Sequence, residues 1–565
     1  MQYPRGGFAL PGTTLSFKTG TWRVQRPRHH HYAAPCHHVC PAGEDAQAYL
    51  ARVEEGDFKA AWETIVAVNP LPACTGRVCL HPCEGACNRG KYDSPINIHS
   101  VERFLGDMAI AQGWDYPAAR PKADAPRVAV IGAGPAGVAN AYHMLRQGFN
   151  VTLFDAFPAG GGTLRTGIPN YRLPDEVLDR ELERIFGLGI EFRPHHQLGR
   201  DMSLRELQAD FPAIFLAPGT MKGRTWSVGD VTPVDLHQGL DLIKEWMTVG
   251  EVPKFKSAAV VGGGNTAIDV ARILKKSGTP EVYIITHNGL PGPNAVPGDV
   301  MRAIPREVIQ AQEEGVKIYD HRGIRRLILR GGKVVGVEMV HMKKLPDERG
   351  RLRRIAFEGT ETVLHVDQVI PAVGQVVDPA GLEGVLGQAD FIPVDPGLRV
   401  PGHNGVWSGG DACSVGQGTV AGAVGDGRRA AADMAAYLRQ LGRPAAEQRE
   451  VLGYEHLNLN YFSPAARPEE PVLPVQQRTG TVEIDGPLER SQVLHEAVRC
   501  FSCGNCMSCD NCWTLCPDSA VLKNPGARQE ADRYVFDYDY CKGCGLCATE
   551  CPCGFIDMVD ELNGA

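Results

Sequence analysis

Of the 18 cysteines in this 565-residue chain, six stand at positions 36, 40, 74, 79, 83 and 87, and eleven lie between 500 and 553. Cys413 is the sole cysteine in residues 88–499. A secreted disulfide scaffold spreads its cysteines through a short chain, whereas two dense blocks in a long one point to metal at both ends. The length suffices for three or four domains with separate cores. A net charge of −8 and a pI near 6.2 leave no basic footprint for nucleic acid. No apolar run approaches the ~18 residues of a membrane span. The opening MQYPRGGFALPGTTLSFKTG lacks the charged-then-apolar order of a secretory signal. The expected location is the cytoplasm.

The C-terminal block has the most specific spacing. Cys506-x2-Cys509-x2-Cys512-x3-Cys516-Pro517 is followed by Cys541-x2-Cys544-x2-Cys547-x3-Cys551-Pro552. This is the bacterial two-cluster ferredoxin run, in which the fourth cysteine of each motif ligates the other cluster. One 4Fe–4S centre is therefore expected on Cys506, Cys509, Cys512 and Cys551, and another on Cys541, Cys544, Cys547 and Cys516. Zinc is the competing metal, but zinc ribbons rarely need two such runs.

Two glycine fingerprints occupy the middle. In RVAVIGAGPAGVANAYHMLRQGFNVTLFDA, an apolar strand leads into Gly132, Gly134 and Gly137, a helix-period stretch runs to about Leu145, and a second strand ends at Asp155. Gly132 permits the tight turn, Gly134 lets backbone approach a pyrophosphate, and Gly137 lets helix pack on strand. The helix N-terminus faces the phosphates, and Asp155 stands where a carboxylate accepts ribose hydroxyls. A second unit, KSAAVVGGGNTAIDVARILKKSGTPEVYIITHN, carries Gly262, Gly264 and Ala267, with Asn265 and Thr266 opening its helix. Two such units fit a flavoprotein with one FAD site and one nicotinamide site. The second unit's last strand ends Thr286-His287-Asn288, with neither acid nor arginine, and the missing arginine favours NAD(H) over NADP(H).

These motifs, with GGTLRTGIPNYRLP (161–174), LAPGT (216–220), DQVIPAVGQVVD (367–378) and GVWSGGDACSVGQGTVAGAVGDGRRAA (405–431), resemble the small (beta) subunit of glutamate synthase and its relatives over roughly residues 35–440. The resemblance implies an FAD domain in two segments, 125–225 and 365–440, with an NAD(P) domain, 226–364, inserted between. It implies that Asp411 binds the ribityl chain and that Thr419 opens a helix facing the isoalloxazine. Gly162, Leu164, Arg172, Gly410 and His287 complete the cofactor-binding candidates. Where the family commonly carries two arginines, this chain has His287 and Asn288. Disulfide reductases need a close dithiol beside the flavin, and residues 88–499 offer none.

The resemblance also implies two 4Fe–4S clusters in the N-terminal block. Cys40, Cys79 and Cys83 match three ligands of one, with Glu102 at the place of the fourth. Cys36 and Cys87 match the second, but its usual upstream CxxC pair is absent: Arg28 to His31 stand there. A surplus Cys500-x2-Cys503 precedes the ferredoxin run, in wording (RCFSCG) like the family's N-terminal pair. Its two thiols are expected to complete the second cluster and join the chain's ends. The open alternative is a structural pair and one N-terminal cluster only. Cys74, Cys413 and Cys553 stay unassigned, and His29–His31, His37 and His38 read as solvated surface.

The reading is a multidomain α/β protein. It comprises an extended arm (1–34), a helical iron–sulfur domain (35–124), two Rossmann-like domains, a linker (441–495) and an α+β ferredoxin-like domain (496–565). Residues 115–126 and 463–474 read as Pro/Ala-rich linkers, 425–440 as a helix, His195-His196 as a strand-to-loop passage, and Glu313-Glu314 as a solvated helix end. No side chain is assigned to acid–base catalysis. The expected function is FAD-dependent electron transfer between NAD(P)(H) and a partner through three to four 4Fe–4S clusters, as a subunit of a larger complex. A 2-oxoacid or aldehyde oxidoreductase is the favoured partner. Alternatives are a glutamate synthase small subunit, a stand-alone NAD(P)H:ferredoxin oxidoreductase, and a non-catalytic electron carrier with degraded nucleotide sites.

Overall fold

The structure, a computed structural model, describes residues 18–117, 121–228, 236–292, 295–296, 298–386, 391–443, 449–524 and 533–561. The first 17 residues of the expected arm, residues 118–120 of the 115–126 linker and residues 444–448 of the 441–495 linker lie outside these.

Two parallel sheets organise the middle of the chain. The first has the spatial order Val406–Ser408, Ile214–Leu216, Arg127–Ile131, Asn150–Phe154, Glu191–Arg193. The second has the order Gln368–Pro371, Ser257–Val261, Glu281–Ile285, Lys317–Tyr319. Continuous apolar strands such as Val128–Ile131 suit sheets covered on both faces. Each fingerprint runs from strand into helix, Pro135–Arg146 in one unit and Asn265–Lys276 in the other. Gly132 sits at φ +100°, and a Cβ on Gly137 would stand 1.8 Å from the Gly132 carbonyl oxygen. Only glycine fits that crossing.

The strand at 406–408 returns to the first sheet after the whole second sheet has been traversed. The long helix Val420–Leu438 then packs on Pro135–Arg146. It begins five residues earlier than expected, because Thr419 caps it by accepting a hydrogen bond from the Gly422 N–H at 3.0 Å.

A three-stranded antiparallel sheet, Arg322–Arg330, Lys333–Pro346 and Leu352–Leu364, extends from the second unit. Nothing in the sequence reading anticipated it.

Six helices between Pro35 and Gln112 form the N-terminal block. They share one apolar core with the first sheet, in which Tyr49, Trp62, Val128, Leu145 and Trp407 are all buried. The C-terminal module has two short strand pairings around its cysteine loops. One pairs Val521–Lys523 with Tyr534–Phe536, and the other pairs Ile556–Asp560 with Gln25–His29 from the chain's beginning. Residues 25–29 of the expected arm are thus a sheet strand. His29 stacks on Phe555 and His30 bonds Asp557 at 2.7 Å, which corrects the reading of those histidines as solvated.

The expected linker 463–474 is likewise no free tether. Glu470 takes His99 at 2.6 Å and Arg306 at 2.8 Å, tying the helical block to the second unit. Further along, Glu483 takes Arg77 and Arg103. Glu314 is buried against Arg272, not solvated, because that arginine is wholly enclosed and needs a counter-charge. Among the described residues no helix is long and apolar enough to cross a membrane.

Candidate functional site

One cavity of about 600 Å³ reaches both glycine turns. From the first unit it is lined by Gly132, Gly134, Asp155, Gly162 and Arg172, from the returning segment by Gly410, Asp411 and Thr419, and from the second unit by Asn265 and Thr266. Asp155 accepts from the Ala133 N–H at 2.6 Å and the Phe157 N–H at 2.8 Å, which fixes its carboxylate at the strand end. Burial raises its pKa, and these two bonds oppose the shift. Three helix N-termini, at Gly134, Gly264 and Thr419, belong to the segments that form this cavity. Their free N–H groups suit pyrophosphate. Gly134 and Gly162 approach so closely that a Cβ on Gly162 would lie 2.8 Å from the Gly134 Cα, leaving backbone as the cavity wall. A dinucleotide fits this donor set.

Several expected cofactor residues stand elsewhere. Gly137, Gly262, Gly264 and Ala267 shape the turns without lining the cavity. Leu164 is 1% exposed and packs into the core, because the short helix Thr163–Thr166 turns Thr163 to the cavity instead. Arg172 lines the cavity, but its guanidinium is engaged by Asp269 at 2.9 Å and Glu307 at 3.2 Å, so it bridges the two units. His287 lies outside the cavity lining. Sequence reasoning missed Lys244, Asp269 and His196 as lining residues: Asp269 lies inside the second fingerprint but is no glycine-turn position, and His196 had been read as part of a strand-to-loop passage.

Four much smaller cavities, of about 20 Å³ each, are lined by cysteines. The first holds Cys40, Cys79, Cys83 and Glu102. The second holds Cys36, Cys87, Cys500 and Cys503, drawn from opposite ends of the chain. The third holds Cys506, Cys509, Cys512 and Cys551, and the fourth Cys516, Cys541, Cys544 and Cys547. Burial pushes the thiols of Cys40, Cys503, Cys512 and Cys547 up to about 12. Thiolates at that depth need a cation beside them, and a metal replaces the protons. Four thiols in each of three cavities, and three thiols with the Glu102 carboxylate in the first, fit iron–sulfur clusters.

Two buried groups at these cavities were not foreseen. Glu44 lines the first beside Glu102, and the two carboxylates share the Asn69 side-chain amide. Cys553 lines the third, its Sγ 3.7 Å from that of Cys551. Cys74 is buried with its N–H on Glu181 at 3.0 Å, and Cys413 donates to the Gly410 carbonyl at 3.2 Å. His81, Glu84 and His99 cluster closely enough to suggest a further metal, but both ring nitrogens of His99 are already engaged, by Glu84 and Glu470 at 2.6 Å each.

The cavities adjoin. Val78 and Leu80 line the large cavity while Cys79 between them lines the first cysteine cavity, and Val420 and Ala421 divide in the same way. Ile98 lines both the first and second cysteine cavities. Cys503 of the second lies three residues from Cys506 of the third. The pairs Cys512/Cys516 and Cys547/Cys551 straddle the third and fourth.

A model of the pyridine nucleotide-disulphide oxidoreductase family matches residues 126–427. Residues 28–114 match the dihydropyrimidine dehydrogenase domain II 4Fe-4S cluster family, and residues 505–555 match the 4Fe-4S dicluster domain. The chain is 33% identical to the NADP(+)-dependent formate dehydrogenase subunit beta of Moorella thermoacetica, over 83% of this chain and 70% of that one. It is 32% identical to the NADPH-Fe(3+) oxidoreductase subunit beta of Geobacter sulfurreducens, over 86% of this chain and 78% of that one. The glutamate synthase (NADPH) small chain of Escherichia coli K12 is 32% identical, over 60% of this chain and 73% of that one.

Proposed function

The chain belongs to the pyridine nucleotide-disulphide oxidoreductase family, as an iron–sulfur member, and on that premise we propose how its residues divide the work. It is an FAD-dependent, NAD(P)H-linked oxidoreductase that transfers electrons through 4Fe–4S clusters. When bound, the flavin exchanges a hydride with nicotinamide and single electrons with the clusters.

The first glycine unit and the returning segment hold FAD. Asp155 accepts the adenosine ribose hydroxyls, the helix N-terminus at Gly134 faces the pyrophosphate, and Asp411 and Thr419 border the ribityl and ring end. The second unit, with Asn265 and Thr266 on the shared cavity, receives the nicotinamide nucleotide. Arg172, through Asp269 and Glu307, sets the two units against each other, which fixes the approach of the two rings. With these domains go the helical block from about 35 to 124 and the ferredoxin-like module from about 496 to 565.

The four cysteine sets hold four clusters: Cys40, Cys79, Cys83 and Glu102; Cys36, Cys87, Cys500 and Cys503; Cys506, Cys509, Cys512 and Cys551; Cys516, Cys541, Cys544 and Cys547. The observation that carries this reading is the succession of four cysteine-lined cavities beside the flavin cavity and through the C-terminal module. That module exposes Trp513, Leu515, Leu522, Val535 and Leu546, along with Cys509 and Cys544. Exposed apolar side chains around a redox group favour docking of a protein partner there. We assign that place to an electron-donating or electron-accepting subunit, with a 2-oxoacid or aldehyde oxidoreductase as the favoured partner and the cytoplasm as the location.

Anaerobic titration of the whole chain with NADPH and NADH tests the reading. Bleaching of the flavin band, followed by the EPR signals of reduced 4Fe–4S clusters, is expected. An oxidised flavin after both nucleotides would support the non-catalytic carrier instead.

A further inference from the structure

The loop after strand Glu281–Ile285 is where a dinucleotide-binding unit meets the adenosine ribose. Its own residues, Thr286-His287-Asn288, carry neither acid nor arginine, which led to the expectation of NAD(H). The fold brings charge to this place from another element. We propose that Lys344 and Arg354, on the antiparallel sheet, form a 2′-phosphate site beside His287, so that the nicotinamide nucleotide taken by this chain is NADP(H). The proposal rests on the second unit being the nicotinamide unit.

The geometry begins with the sheet register. Lys344 and Arg354 are direct cross-strand partners, so their side chains leave the same face. That sheet is fastened to the strand end. The Arg322 N–H donates to the Thr286 carbonyl at 2.8 Å, and the His321 N–H to the Asn288 carbonyl at 3.3 Å. On the far side the Lys344 ammonium reaches the Gly298 carbonyl. The neighbouring Asp299 lies against the loop after the strand, its carbonyl accepting from the Gly289 N–H at 2.7 Å. His287 therefore sits within a frame that carries both cations. Burial disfavours its protonated form, the Arg354 and Lys344 charges add to that, and its pKa falls to about 4.

Neither cation is neutralised. Arg353, next to Arg354 on its strand, and Arg351, just before that strand, are both paired with Asp347. Among the described residues, Arg354 and Lys344 form no ion pair. Asp299, the acid that acts on Arg354, is 5% exposed and faces His321 at 3.3 Å. A partly desolvated guanidinium beside an ammonium is suited to a dianionic phosphate, which guanidinium binds through two parallel hydrogen bonds. A ribose that carries only hydroxyl groups would leave both charges uncompensated.

Calorimetry on the whole chain with 2′,5′-ADP and with 5′-AMP tests the assignment. The wild-type chain should bind 2′,5′-ADP at least about 10-fold more tightly than 5′-AMP. The double variant Lys344→Ala/Arg354→Ala should lose about 10²-fold on 2′,5′-ADP, the scale of two charge-assisted contacts. It should keep its 5′-AMP affinity, and Arg354→Lys should fall between. Equal affinities in the wild type, or equal losses of both ligands in the double variant, would overturn the proposal. These isotherms do not depend on flavin reduction. Absence of bleaching by either nucleotide therefore refutes the oxidoreductase reading and leaves the phosphate site to be judged by binding alone.

Discussion

Arg272 is wholly buried, and its replacement by methionine is the sharpest test of how the second nucleotide unit is held together. Its Nε and Nη2 donate to Glu314 at 3.0 and 2.6 Å, its Nη1 donates to Glu307, and its guanidinium lies 4.8 Å over the Tyr171 ring. Burial alone would raise the pKa of Glu307, but Arg172 and Arg272 reverse the shift and keep it ionised. Methionine fills the space but leaves Glu314 with Arg478 alone at 3.7 Å, and Glu307 with Arg172 alone. Removing one partner of a buried pair costs about 3–5 kcal/mol. That loss should appear first in the local opening of helix Asn265–Lys276, since a chain with several cores does not unfold in one step. At about 1.4 kcal/mol per factor of ten, amide exchange in that helix should quicken by roughly 10²-fold to a few thousand-fold. Hydrogen exchange by mass spectrometry reads this directly, with helix Pro35–Val39 as the unaffected reference. A change below about threefold would refute the argument that this network carries the second unit's stability.

Three further outcomes follow. Glu470→Gln removes the anion that joins His99, Ser100 and Arg306, so trypsin should cut the 463–486 segment faster after Arg478 than in the wild type. Glu470 is held down to about 2 against its ordinary 4.5: burial opposes ionisation, but His99, Arg306 and Ser100 outweigh it. Its contribution is therefore complete above pH 4.5 and fades as pH falls through about 2. Gly427→Ala would put a Cβ 2.2 Å from the Ala136 carbonyl oxygen and force helices Pro135–Arg146 and Val420–Leu438 apart; the purified variant should contain well under one FAD per chain by absorbance. Cys74→Ala should leave the iron content unchanged and cost about 1 kcal/mol of stability, since this cysteine packs without lining any of the four cysteine cavities.

What the sequence disclosed follows from how local its signals are. Gly132 to Asp155 is a contiguous strand–turn–helix–strand with each residue type dictated by backbone geometry, and both parallel sheets could be anticipated from such runs. The ferredoxin spacing is equally local. Cys500-x2-Cys503 was recognised only because its wording matched a pair missing 470 residues earlier. The antiparallel sheet escaped notice because Leu352–Leu364 is exposed along most of its length and shows no clean apolar alternation. Glu314 and the 463–474 segment were misread for a related reason. Composition marks acids and prolines as solvent-facing, whereas here the acids meet buried arginines supplied from distant positions.

The claim on which the whole account turns is that the chain's two ends jointly hold one cluster. Iron content of the anaerobically purified chain, measured with and without Cys500→Ser/Cys503→Ser, tests it most directly. The account predicts about 16 iron atoms per wild-type chain and about 12 in the variant, four per cluster, with the EPR signals of the remaining clusters retained. A wild-type value already near 12, or an iron content that the double substitution does not change, would contradict it.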